Sequence, residues 1–187
     1  MQHLIIIAGA SGTGKTTVRD YLHQEYHVQP VITHTTRLPR LHEKDGIDYY
    51  FENDASMQKL HLLEKVTYNN YQYGSSLEGL QRAWQQHDIA EIVLDTAGVR
   101  TYLQKLPHRQ LTFIFLTVSD QAQLQQRMLS RGDQMQQVLH RMHSPEYQRD
   151  LHLPTDLKPY AHVIVNDDWQ QTKQQLATIM QKINEEN

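Results

Sequence analysis

Apolar residues in this chain fall into short runs separated by polar stretches, and the runs follow two different periods. Leu4 to Ala8 is continuously apolar, and its length and β-branched content suit a strand buried on both faces. Ile89 to Asp95 is another buried strand, Leu111 to Thr117 and His162 to Val165 read as strands, and Val31-Ile32-Thr33 as a short one. Between them the spacing turns helical, over Lys15 to Tyr26, Leu77 to Gln86, Val99 to Lys105, Asp120 to Arg131 and Trp169 to Ile183. On the Asp120 to Arg131 segment, Leu124, Met128 and Leu129 share one side, and Gly132 follows in the position that closes a helix. Strand alternating with helix is the pattern of a parallel sheet covered by helices on both faces, an α/β fold.

Two regions break the alternation, about 34–76 and 132–159. The first holds a polar, loop-rich stretch over 34–48 and a strand at Tyr49-Tyr50-Phe51. It continues with a short helix over Ala55 to His61 capped by Asp54, then one or two strands in Glu64 to Tyr73 turning at Asn69-Asn70. The second bears Gln, His and Pro and is weakly periodic. Both are expected as inserts over the carboxyl edge of the sheet, where open α/β sheets bind ligands. The expected organisation is one domain over 1–187, with a core of 1–33, 77–131 and 160–187.

Composition narrows the chemistry. A length of 187 residues fits one domain. The balance of 18 Lys+Arg against 21 Asp+Glu, a net charge of −3, argues against a nucleic-acid polymer as partner but allows a local basic pocket. The absence of Cys excludes disulfides, thiolate–zinc sites and Cys nucleophiles. The longest apolar run is far short of a membrane span, and no basic-then-apolar leader precedes it, so a soluble, cytoplasmic protein is expected. His140 and His143 have a metal-compatible spacing, yet no third ligand accompanies them, and they read as solvated imidazoles. Monomer and homo-oligomer stay equally open.

Between the first strand and the first helix lies Gly9-Ala10-Ser11-Gly12-Thr13-Gly14-Lys15-Thr16, followed by Thr17. It fits the phosphate-binding pattern G-x-x-x-x-G-K-[ST] without a mismatch. Glycines let the backbone wrap a phosphate with its N–H groups inward, and the helix start adds the positive end of its dipole. Lys15 can reach β- and γ-phosphates, and the Thr16 hydroxyl can ligate Mg²⁺. The motif implies a nucleoside triphosphate and leaves its use open.

A second phosphate site is suggested by Arg37 and Arg40, three apart with Pro39 between, followed by Asp45-Gly46-Ile47-Asp48-Tyr49-Tyr50. Arginine forks suit bidentate phosphate binding, and a Tyr hydroxyl can complete the cage. Glu64 and the run Tyr73-Gly74-Ser75 add a carboxylate, a phenol and a hydroxyl.

With Thr-Arg-x-Pro-Arg over 36–40, Asp-Gly-x-Asp-Tyr, Tyr-Gly-Ser and Val-Ile-Val-Asn-Asp-Asp, the chain resembles the guanylate kinase family from about residue 3 to about residue 183. The resemblance implies a P-loop NTPase core with a nucleoside monophosphate-binding insert and a mobile lid. It implies transfer of the ATP γ-phosphoryl group to GMP, with Mg²⁺ accompanying ATP. By it, Arg37, Arg40, Tyr49 and Tyr73 match residues that hold the GMP phosphate. Thr33, Glu64 and Ser75 match residues that read guanine, with Gly74 and Asp95 beside them. Arg131 and Arg141 match lid residues that fold over the triphosphate. Arg127 is a further candidate there, and Asn166 and Asp167 match a segment near adenine. Lys15, Arg37, Arg131 and Arg141 would surround the migrating group. The chemistry of Glu64 agrees, because guanine offers N1–H and N2 amino donors together and adenine does not.

The chain departs from the family pattern in three places. After Asp95 it runs Thr96-Ala97-Gly98-Val99, where a second acidic residue and a Gln-Gly pair are usual. Pro145 and Pro154 interrupt what is otherwise one lid helix, and Lys65 and His42 replace an aromatic residue and Gly. These changes keep open a kinase of the same fold acting on another phosphorylated small molecule. A non-catalytic guanylate-kinase-like module that binds protein partners is the remaining alternative, although such modules tend to lose the P-loop Lys and Gly.

Overall fold

The structure is a computed structural model and describes residues 1–68, 71–107 and 110–186. Strand β1 (His3–Ala8) lies at the centre of a five-stranded sheet whose order is β2-β7-β1-β8-β9, where β2 is Gln29–Pro30, β7 Ile89–Val93, β8 Leu111–Thr117 and β9 Ala161–Val165. All four pairings are parallel. The alternation along β1 decides the layers. Ile5 and Ile7 point to one face, against Val18 and Leu22 of α1 (Lys15–Tyr26) and Leu176, Ile179 and Met180 of α8 (Trp169–Glu186). Leu4, Ile6 and Ala8 point to the other, against Leu80 and Ala83 of α3 (Leu77–Gln86) and Val99 and Tyr102 of α4 (Thr96–Lys105). Each of these β1 side chains is fully buried, a contribution of about 1.5–3 kcal/mol for each large one.

Helix α4 begins three residues earlier than periodicity suggests, and β7 ends at Val93 instead of Asp95. The cause is a cap: Asp95 is in extended backbone and its Oδ1 accepts the Gly98 N–H at 2.7 Å, which draws Thr96-Ala97-Gly98 into the first turn. The strand expected at 31–33 is displaced to Gln29–Pro30. Pro30 is tolerated there because β2 is an edge strand. Val31 still donates to the Glu91 carbonyl at 2.8 Å before the chain leaves the sheet.

The first insert forms its own sheet, in the order β4-β3-β6-β5, from β3 (His34–Thr35), β4 (Tyr50–Phe51), β5 (Leu62–Tyr68) and β6 (Tyr71–Ser76). Its helix α2 is Asp54–Met57, shorter than expected, and Asn53 caps it instead of Asp54. Asn53 and Ser56 exchange side-chain-to-backbone bonds in a capping box. The turn expected at Asn69-Asn70 lies outside the described residues.

The second insert is more helical than its weak periodicity suggests. Helix α5 (Ala122–Ser130) closes on Gly132, whose φ is +98°, with Gly132 N–H on Leu129 O and Asp133 N–H on Met128 O. Then come α6 (Met135–Met142) and α7 (Pro145–Asp150). Pro145 sits at the first turn of α7 behind a Ser144 cap, so it starts a helix as well as ending one. Val138 and Tyr147 pack with Leu124, Met128 and Ala10 of the Gly-rich turn, seating this insert beside β1. Among the described residues no helix is long and apolar enough to cross a membrane.

Candidate active site

The Gly-rich turn takes the shape its glycines permit. Gly9 has φ +137° and Gly14 φ +99°. A Cβ on Gly9 would collide with the Leu116 carbonyl, and one on Gly14 with Asn166 Nδ2. No side chain caps α1, whose N-cap is Gly14, so the first-turn N–H groups face the adjoining cleft. Thr16 and Thr17 are exposed on that turn.

Asn166 braces the turn: its Nδ2 donates to Thr13 O at 2.8 Å and its Oδ1 accepts from Thr172 Oγ1 at 2.8 Å. Its carbonyl accepts from Arg127 Nη1 at 3.0 Å, while Asp167 accepts the Ser119 N–H. The side chain of Asn166 is thus spent on the turn itself.

Lys15 donates to Gly9 O at 2.6 Å and Ala10 O at 2.8 Å. Burial pushes its pKa down to about 8; Asp150 opposes that shift, and Arg131 and Arg141 add to it. Gly12, Gly14, Lys15 and Thr16 form one wall of a donor-side cleft of about 650 Å³, and Arg127, Arg131 and Arg141 form the other. Asp133 organises these arginines. Its Oδ2 accepts from Arg131 Nη2 at 2.5 Å and from Arg141 Nη1 at 3.4 Å, and the Arg131 bond holds its carboxyl below the usual range.

An acceptor-side cleft of about 430 Å³ lies against Thr33, Tyr49, Glu64, Tyr73, Gly74 and Asp95. Gly74 is needed where β6 pairs closely with β5, since a Cβ would sit 2.6 Å from the Glu64 carbonyl. Buried Ser75 donates to Glu64 Oε2 at 3.4 Å. Burial raises the Glu64 pKa, the Asp95 charge raises it further, and the Ser75 bond lowers it. Arg37 lies over the Tyr49 ring at 5.7 Å and pairs with Glu43 at 2.9 Å, and its Nε is buried with no hydrogen-bond partner. Arg40 is exposed, and its backbone N–H donates to Glu43 Oε2 at 2.7 Å.

The structure adds residues that periodicity did not single out. Glu43 gathers Arg37 and the Arg40 backbone, and Asp133 gathers two lid arginines. From α7, Arg149 Nη2 reaches Asp95 Oδ2 at 2.6 Å. Asp150 Oδ1 accepts from the Thr96 hydroxyl at 2.6 Å and from its N–H at 3.2 Å. Their signal is weak in the sequence, because each pairs with a residue 54 positions away.

The two clefts share Ser11, Lys15 and Arg141. A basic junction between a glycine-rich cradle and a second cleft that holds the half-buried Glu64 carboxylate suits a nucleotide kinase, although Arg37 and Arg40 do not line that cleft. A family model for guanylate kinase matches residues 1–183. The chain belongs to the guanylate kinase family. Over 185 residues it is 36% identical to the guanylate kinase of Protochlamydia amoebophila (strain UWE25), covering 95% of this chain and 89% of that protein. It is 29% identical to that of Haemophilus ducreyi, with 95% and 87% covered. The crystal structure of guanylate kinase from Anaplasma phagocytophilum superposes with a TM-score of 0.62 at 19% identity, covering 97% of this chain and 85% of that one, a likeness of fold.

Proposed function

We propose that this chain transfers the γ-phosphoryl group of ATP to GMP, giving ADP and GDP. The observation that carries the reading is the meeting of both clefts at Lys15 and Arg141. An oxygen of the GMP phosphate bonds to the γ-phosphorus as the bond to the β–γ bridging oxygen breaks. The attacking phosphate oxygen is already ionised, so the work is positioning and charge stabilisation.

In this reading the turn from Gly9 to Thr17 cradles the triphosphate with backbone N–H groups. Lys15 leaves the Gly9 and Ala10 carbonyls for the β- and γ-oxygens, whose negative charge offsets the burial that disfavours its ammonium form. Arg131 and Arg141 close from the lid, and Arg127 ties the lid side to Asn166. Arg37, Arg40, Tyr49 and Tyr73 hold the acceptor phosphate, with the unpartnered Arg37 Nε as one donor. Thr33, Glu64 and Ser75 read guanine, and its two donors offset the desolvation of the Glu64 carboxylate.

Mg²⁺ fits the donor set, because the exposed Thr16 hydroxyl is a hard oxygen at the donor cleft. When bound with ATP, the ion supplies neutralisation of charge on the β- and γ-oxygens. The division into a core, an acceptor insert of about 34–76 and a lid of about 132–159, and residence in the cytoplasm, belong to the same proposal.

A coupled assay of ADP release with ATP and Mg²⁺ tests it against GMP, dGMP, AMP, CMP, UMP and ribose phosphates. GMP is expected to exceed AMP in kcat/KM by about 10⁴-fold, the discrimination of a site built to hydrogen-bond its substrate. An idle GMP beside a working sugar phosphate would overturn the guanine assignment.

A further inference from the structure

The lid's second helix, α7, lines the acceptor cleft and not the donor cleft. Ser144, Glu146, Tyr147 and Asp150 line the acceptor cleft, whereas Arg127 and Arg131 line the donor cleft. Arg149 carries the connection. Its Nη2 bonds Asp95 Oδ2 at 2.6 Å and its Nε bonds Asp150 Oδ1 at 3.1 Å. Asp95 is also held from its own helix, through Oδ1 and the Gly98 N–H. Asp150 is buried and anchored on Thr96, the first residue of α4. One guanidinium from the lid therefore fixes two carboxylates that frame the N-terminus of α4.

Resting on the guanylate kinase reading above, we propose that Arg149 is a positioning residue of the acceptor site. By bridging Asp95 and Asp150, it sets the orientation of the carboxylate next to Glu64. The acceptor pocket is then complete only when α7 is docked, so the lid serves GMP as well as ATP.

The electrostatics support this geometry. Asp95 is the charged neighbour that raises the Glu64 pKa after burial has done so. The groups that face Glu64 or share its cleft come from every side. Ser75 stands on β6, Asp95 and Tyr102 on the α4 side, Glu146 and Asp150 on α7, and Lys15 and Arg141 around the cleft; Arg149 is bonded to Asp95, and Arg100 is a charged neighbour of Asp150. Lys105 on α4 bonds the Leu62 and Leu63 carbonyls of β5. Among the described residues, Arg149 is the cation that pairs with Asp95. Removing it takes away the cation bonded to Asp95, beside a carboxylate that must be ionised to accept both guanine donors, while Asp150 keeps Lys15 and Arg100 as charged neighbours.

The test compares Arg149→Met, which keeps an unbranched stem, with Arg149→Lys, which keeps a charge. Arg149→Met is expected to raise the KM for GMP about tenfold, the loss of a charge-assisted bond, with the KM for ATP within about twofold. It should also shift the acid limb of kcat/KM for GMP to higher pH. Arg149→Lys should return the limb toward its original position. Thermal midpoints of all the proteins are read alongside, and if Arg149→Met is unfolded, Arg149→Gln, which keeps a donor and loses the charge, takes its place and is expected to show the same shift of the acid limb. Equal rises in both KM values, or an unmoved acid limb in Arg149→Met, would reduce Arg149 to a structural latch and overturn the proposal. Wild-type protein idle on GMP would instead refute the functional reading on which it rests.

Discussion

The donor and acceptor clefts solve the same problem, holding a phosphorylated nucleotide, by opposite means. The donor side has one wall from a single continuous stretch, Gly9 to Thr17, whose backbone N–H groups and helix start suit a phosphate, with Arg127, Arg131 and Arg141 opposite. The acceptor side draws Thr33 and Tyr49 from the entry to the insert and from within it, Glu64 and Tyr73 from β5 and β6, Asp95 from the core and Asp150 from the lid. A phosphate can be wrapped by main chain, so its site can be local. A base edge needs a carboxylate taken out of water, and shielding Glu64 requires walls from several distant segments.

The contrast can be broken most severely at the residue both clefts share. Lys15→Ala is expected to lower kcat by about 10³-fold with every acceptor, the scale of a lost electrostatic group at the migrating phosphoryl. A loss confined to one acceptor, measured by ADP release, would deny Lys15 its place at the junction. Glu64→Ala acts on one cleft alone. Its kcat/KM for GMP should fall about 10²-fold while ATP affinity, read by titration, holds within about twofold. A matching loss of ATP affinity would mean the clefts are not separable.

The smallest effect on turnover is expected outside both clefts, at Glu91 on β7. It is 1% exposed, its Oε2 has no hydrogen-bond partner, and burial pushes its pKa up to about 8 from an ordinary 4.5. The folded state therefore favours the neutral acid, and that stability is present below about pH 4.5 and is lost as pH rises through about 8. Glu91→Gln should raise stability at pH 8 by about 2 kcal/mol and flatten the thermal midpoint across this range, with turnover unchanged. A wild-type midpoint that does not fall with pH would show that Glu91 finds a partner.

Legibility followed the range of the forces. Strands β1, β7 and β8 were readable as apolar runs buried almost throughout, and helices α1 and α3 by the apolar residues they turn to the sheet; β9 was readable as an apolar run although it buries only Ile164. The Gly-rich turn and the Gly132 helix stop were readable because positive φ demands glycine locally. Helices α6 and α7 were not, since their short apolar stripes depend on Leu124, Met128 and Ala10 for burial. The start of α4 was missed because Asp95 reads as the end of an apolar strand until its side chain is seen capping Gly98.

The sequence by itself determined a parallel α/β core, a triphosphate cradle, and a resemblance specific enough to name Glu64, Arg37 and the lid arginines as candidates. Tertiary structure alone decided that Lys15 and Arg141 border both clefts, that Asp133 pairs with Arg131 and Arg141, and that Arg149 faces Asp95 across 54 residues. The reason is physical. Backbone conformation and amphipathic period are set within a few residues, whereas the pairing of charges depends on distance in space, which no local pattern encodes.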